Sequence, residues 1–169
     1  IDVSPIAPLI DDTLASLERN NQALMNLVHV SRKSQKLAEH AFSAFCLALN
    51  LGALLEFDEK ELAALGMAAL LHEAGWVQLP LNLMGKRTSY SDKERKLVEQ
   101  HVEIGKKLLA NSALPELVME IITDHHERVD GSGYPLKKTE INRLSQVLGI
   151  VDCYDERVHQ LADKPGALP

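Results

Sequence analysis

The chain has 169 residues, a formal net charge of −6, 46% hydrophobic and 25% charged residues, and only 4% aromatics. That length accommodates one domain with a real core and excludes two large ones, and the composition excludes a disordered chain. The acidic balance, with no basic patch, excludes a binder of long nucleic acid but leaves room for a small anionic ligand beside a metal.

Seven helical stretches read in order, with no alternating strand pattern, no repeat and no low-complexity tract. Leu9, Ile10, Leu14 and Leu17 make a first apolar stripe, and Leu24, Leu27 and Val28 a second. Residues 1–33 therefore read as an N-terminal helical segment or linker, and 34–169 as the main domain. The third helix runs from about Ser34 to Leu51 with Leu37, Ala41, Ala44 and Ala48 on one face. The fourth starts at Asp58, an N-cap with Glu61 three residues on, and ends near Gly75. An irregular segment with Pro80 and Gly85 follows. Ser91 and Glu94 cap a fifth helix whose stripe is Leu97, His101, Ile104 and Leu108. Pro115 sits at the first turn of a sixth, with Val118, Ile121, Ile122 and His125 inward. Asp130–Pro135 meets every turn criterion. The last helix runs from about Glu140 to His159, with Ile141, Leu144, Leu148 and Val151 inward.

Ala41–Leu55 is the most apolar stretch, interrupted by Ser43, Asn50 and Gly52, and reads as too short to span a bilayer. Cys46 and Cys153 lie in apolar helical contexts and imply no disulfide framework, which fits a reducing, cytoplasmic compartment. The opening Ile1-Asp2-Val3-Ser4 lacks both the basic start of a signal peptide and an initiator Met, so a piece of a longer protein is expected.

Five helices place a metal-capable side chain on or beside the apolar face: His40; His72 with Glu73; His101; His125 with His126; and Asp152. Any one of these alone is best read as a hydrogen-bonded core residue. Together they are harder to dismiss, because each buried unpaired polar group costs roughly 1–3 kcal/mol and a shared cation removes that cost. Histidine and carboxylate ligands suit Fe, Mn, Zn, Co or Ni better than Ca or Mg. Five histidines and two carboxylates exceed one tetrahedral site and suit two metals sharing a bridging carboxylate.

His72-Glu73-Ala74-Gly75 after an Ala-Leu-Leu run resembles the HD motif of metal-dependent phosphohydrolases. The run His125-His126-Glu127-Arg128-Val129-Asp130-Gly131-Ser132-Gly133-Tyr134-Pro135 is similar to the signature of the HD-GYP subfamily. With His40, His101 before Gly105, and Asp152 with Asp155, the resemblance covers roughly Lys36 to Asp155. It implies an all-α HD-domain helical bundle of about seven helices, with the HD-GYP domain over 34–169 and a metal site in a central cleft. It implies two or three divalent metals, chiefly iron or manganese, with zinc, nickel or cobalt as alternatives. The ligands carried over are His40, His72, Glu73, His101, His125, His126 and Asp152, with Glu73 bridging and Glu73 and Asp152 at the reacting centre. The implied activity is hydrolysis of cyclic di-GMP in cytoplasmic bacterial signalling. The Gly133-Tyr134-Pro135 loop would shape the site mouth, bind ligand or meet a partner such as a diguanylate cyclase; a plain tight turn is the other reading.

Three departures stand against that pattern. Glu73 replaces the Asp of the HD pair, Trp76 stands where the family has a Lys, and Leu161 falls where it has an Arg. Asp155 and Lys164 remain as expected ligand contacts. The metal shell is thus nearly complete while the phosphate shell is eroded. That combination leaves three readings: an enzyme of modest activity, hydrolysis of a different nucleotide or phosphate ester, or a catalytically impaired module that senses a cyclic dinucleotide or binds a protein.

Overall fold

The computed structural model describes residues 7–84 and 90–162, and among these every regular element is helical. The helices are α1 (Ala7–Glu18), α2 (Asn21–Lys33), α3 (Gln35–Leu54), α4 (Glu59–Leu71), α5 (Leu81–Met84), α6 (Asp92–Val98), α7 (His101–Leu109), α8 (Glu116–Asp124) and α9 (Arg143–Ala162). A 3₁₀ turn, Ala74–Gln78, follows α4.

The expected starts hold for chemical reasons. Asp58 Oδ1 accepts from Lys60 N and Glu61 N at 2.8 and 2.9 Å, and Glu61 Oε2 accepts from Asp58 N at 2.9 Å, a reciprocal cap on α4. Ser91 and Glu94 do the same for α6. The segment expected to be irregular holds the 3₁₀ turn and the short α5. The fifth stretch divides into α6 and α7, although Glu99 and Gln100 keep helical dihedrals. Gln100 N bonds to Leu97 O, three residues back, so the division is a local tightening of the hydrogen-bond ladder. The apolar stripe passes through it unbroken, which is why the sequence showed one helix.

The core forms where α3 and α4 pack together and against α8 and α9. Ala44, Phe45, Ala48 and Leu49 of α3 meet Leu65, Ala68, Ala69 and Leu71 of α4, with Ile121, Ile122 and Leu148 closing the far side. α1 lies on α4, and α2 lies on α3 and the 3₁₀ turn, where Lys33 Nζ donates to Val77 O and Leu79 O at 2.7 and 2.8 Å. At 20 residues and a mean hydropathy of 1.4 in its most apolar window, α3 does reach the length and composition of a bilayer span, contrary to the sequence reading, which counted only from Ala41. Its buried face, including His40, is packed against α4 and α9, so here it is a core helix.

Gly75 sets the closest approach in the fold. A Cβ there would overlap the His101 carbonyl, so only glycine lets the 3₁₀ turn seat against the start of α7. That contact brings the end of α4 and the start of α7 to one place.

Candidate metal centre

The metal-capable side chains sit at helix ends. His72 caps the C-terminus of α4 with Glu73 next in the chain, His101 opens α7, and His125 caps α8 with His126 following. His40 and Asp152 come from the packed faces of α3 and α9. All but His126 are buried, and His126 keeps a small exposed edge.

All seven residues converge in two overlapping sets. Glu73, His101, His125 and His126 offer ligand atoms within 4.8 Å of one another, and so do His40, His72, Glu73 and Asp152. Glu73 belongs to both sets. Ring centroids step through the cluster, at 5.4 Å from His40 to His72, 5.0 Å from His72 to His125, and 4.0 Å from His125 to His126.

The imidazoles are oriented from behind. Nδ1 of His72, His101 and His125 donates to the carbonyls of Ala69, Val98 and Ile122, each three residues back, at 2.8, 2.8 and 2.6 Å. A carbonyl can only accept, so Nδ1 carries the proton and Nε2 presents its lone pair. Those three Nε2 atoms are buried without a hydrogen-bond partner among the described residues. Histidine ligands in metal sites are held in this way. The donor set, its burial and its fixed tautomers fit divalent cations.

His40 is held differently. Its Nδ1 donates to Asp155 Oδ2 at 2.6 Å, and the other Asp155 oxygen accepts from the Ser43 hydroxyl. Asp155, expected at the ligand, is instead buried behind His40 as its orienting partner. Lys164 lies outside the described residues, as does the side chain of Leu161.

Electrostatics follow from burial and crowding. Burial, with the neighbouring His126 and His72, holds the His125 imidazole well below its ordinary pKa. His126 is also held low, first by burial, against the pull of Asp152 and with help from His101. Burial also disfavours charge on His40, but Asp152 and Asp155 overcome it and raise its pKa to about 10. Burial pushes the Asp152 carboxyl up, yet His40 and His72 outweigh it and hold it well below the carboxylate range.

The loop after α8 closes over the cluster. The Glu127 carboxylate accepts from Leu136 N and Lys138 N at 2.6 and 2.9 Å, and Lys138 Nζ donates to the buried Asp124 at 2.7 and 2.9 Å. Tyr134 N donates to His126 O, and the Tyr134 ring stacks on His126 at 4.5 Å. Gly133 and Pro135 carry the backbone through this turn, Gly133 buried against residues 126–128. Trp76 stacks on His101 at 5.8 Å. Ser43, Asp124 and Lys138 were not singled out from the sequence; only the position of Ser43, three residues after His40, gave a local signal.

The sequence profile of the HD domain family matches residues 6–168. The chain belongs to the HD domain family, of the HD-GYP type. This HD domain is 30% identical over 158 residues to a cyclic di-GMP phosphodiesterase of Pseudomonas aeruginosa, covering 92% of the chain and 38% of that relative. It is 37% identical over 95 residues to a cyclic di-GMP phosphodiesterase of Thermotoga maritima, covering 54% and 26% of the two chains. A 3′3′-cGAMP-specific phosphodiesterase of Vibrio cholerae is 29% identical over 143 residues, covering 82% and 27%. Among solved structures, Bd1817, a HDG"Y"P protein from Bdellovibrio bacteriovorus, matches with a TM-score of 0.65 and 25% identity, over 72% of this chain and 40% of that one. The HD domain thus spans well under half the length of these curated relatives.

Proposed function

We propose that this HD domain is the catalytic part of a phosphodiesterase that hydrolyses cyclic di-GMP. The reading rests on one observation, the two four-residue donor sets that share Glu73. Set one is Glu73, His101, His125 and His126, and set two is His40, His72, Glu73 and Asp152. Each would hold one divalent cation with Glu73 common to both. Nitrogen and carboxylate donors in this proportion suit iron or manganese, with zinc, nickel and cobalt also compatible. When bound, such a pair supplies Lewis acidity at phosphorus and lowers the pKa of water at neutral pH.

The protein's own side chains supply position. Asp155 and Ser43 fix the His40 ring, and backbone carbonyls fix His72, His101 and His125. Stacking by Tyr134 and Trp76 confines His126 and His101, so the donor geometry is set before ligand arrives. Hydrolysis forms one P–O bond from water and breaks one ester P–O bond, opening the ring to a linear dinucleotide.

The names of the curated relatives support the substrate class. A second reading, binding without turnover, draws on Trp76: the indole stacked on His101 occupies a place where a cation would serve the developing phosphate charge. Incubating the full-length protein with cyclic di-GMP and added Mn(II) or Fe(II), with metal analysis alongside, tests both. Linear dinucleotide from protein carrying two metals per chain is expected. Binding without product at full metal occupancy would overturn the enzyme reading in favour of a sensor.

A further inference from the structure

The cleft above the donor cluster has an unusual charge pattern. Its floor includes Glu73, His101 and His126, and its walls include Glu99, Glu156 and Arg95. Among the described residues lining it, Arg95 is the single permanent cation, facing three carboxylates. It is exposed and makes no ion pair or side-chain hydrogen bond among the described residues. Glu99 lies four residues on, the spacing at which helical ion pairs form, yet the two are not paired.

The position of Arg95 is nonetheless fixed. The Ser91–Glu94 cap sets the start of α6, and just before it the Tyr90 hydroxyl donates to Leu83 O at 2.7 Å. The backbone therefore presents an exposed guanidinium from a fixed base over the cleft.

We propose that Arg95 receives the phosphodiester of a cyclic dinucleotide that is not being cut. This rests on the phosphodiesterase reading of the floor. A cyclic dinucleotide carries two phosphodiesters, and the ring holds the second away from the first. With the first at the donor cluster, the second lies toward the walls, where Arg95 is the one permanent cation among the described lining residues. A guanidinium suits this task, because its planar fork can engage both non-bridging oxygens of one phosphate. Arg95 is thereby a specificity residue that favours two-phosphate rings over simple phosphodiesters. It acts on binding, because the charge of the spectator phosphate does not change in the transition state.

The test compares two substrates on the metal-loaded full-length protein, cyclic di-GMP and bis(p-nitrophenyl) phosphate, which has a single phosphodiester. For Arg95→Ala, KM for cyclic di-GMP is expected to rise roughly tenfold, the loss of one charge-assisted contact, with kcat little altered. The accompanying loss of kcat/KM should be several times smaller on bis(p-nitrophenyl) phosphate. Arg95→Lys should recover part of the loss and Arg95→Glu should deepen it. Equal losses on both substrates, or an unchanged KM for cyclic di-GMP, would overturn the proposal. If the parent protein cleaves neither substrate, the enzyme reading fails on its own. Calorimetric titration with cyclic di-GMP then decides the role of Arg95, a roughly tenfold weaker Kd in Arg95→Ala supporting it and equal Kd values overturning it.

Discussion

The floor of the cleft and its walls are built on opposite principles. On the floor, every metal-capable group but His126 is buried, and most are tied to backbone carbonyls or to a second carboxylate. On the walls, Arg95 projects from a helix surface with no side-chain hydrogen bond or ion pair among the described residues. The floor is pre-organised and its losses should be steep. The walls act through a flexible charge in contact with water, where screening limits any single contribution. On the proposed reading, chemistry falls to rigid groups and ligand choice to an exposed one.

The sharpest way to break this contrast is Glu73→Ala. Removing the carboxylate common to both donor sets should abolish turnover and drop metal content below two per chain, read by elemental analysis. A variant that kept two metals and full activity would show that the floor does not depend on its shared member.

Asp155→Asn probes the layer behind the floor. The amide can still meet His40, but it no longer fixes the ring with a negative charge. Metal affinity should fall about 10–100-fold, measured by competition with a chelator, as is typical when such an orienting partner is lost. A change confined to KM for cyclic di-GMP would restore Asp155 to the ligand-contact role expected from the sequence.

Glu127→Gln tests the strap that joins floor to wall. One of its two acceptor oxygens becomes a donor facing a backbone N–H, of either Leu136 or Lys138. A local cost of about 1–3 kcal/mol is expected, seen as faster amide exchange across residues 127–138 with the rest of the protein protected as before. Uniformly faster exchange would make Glu127 a global core residue rather than a strap.

The smallest effect concerns pH in the metal-free protein. His125 and His126 are held below the ordinary value, so below about pH 6.5 the unfolded chain binds protons that the folded chain refuses, and stability falls as pH falls. His40 is raised to about 10, so its contribution is complete below about pH 6.5 and is lost as pH climbs toward 10. Chelated protein should therefore melt highest near pH 6.5. Metal loading, which requires a deprotonated His40, should move that maximum to higher pH. A melting temperature rising steadily to pH 9 in the chelated protein would show that His40 is not held as a cation.

Much of the floor was legible because its cues are local. His72, His101 and His125 each close or open an apolar helical stripe, and the caps at Asp58 and Ser91 are written in four residues. What sequence could not supply was any contact between distant elements. The hydrogen bond from His40 to Asp155 joins positions 115 apart, so Asp155 read as a ligand contact when its partner is a ring. Trp76 read only as a missing charge, although its indole also braces His101 across the close approach at Gly75. Arg95 left no trace, because an arginine on a polar helix face is the most ordinary residue in a sequence of this composition.

The three carbonyl tethers bear on the order of assembly. Each is made within its own helical turn or across its immediate end, so tautomer and ring direction are settled as soon as α4, α8 and the α6–α7 junction form. Uptake of a metal would therefore require no rearrangement of these three imidazoles. Under those conditions the supply of ions when folding ends bears on which metal would load, beside the preference of the donors themselves.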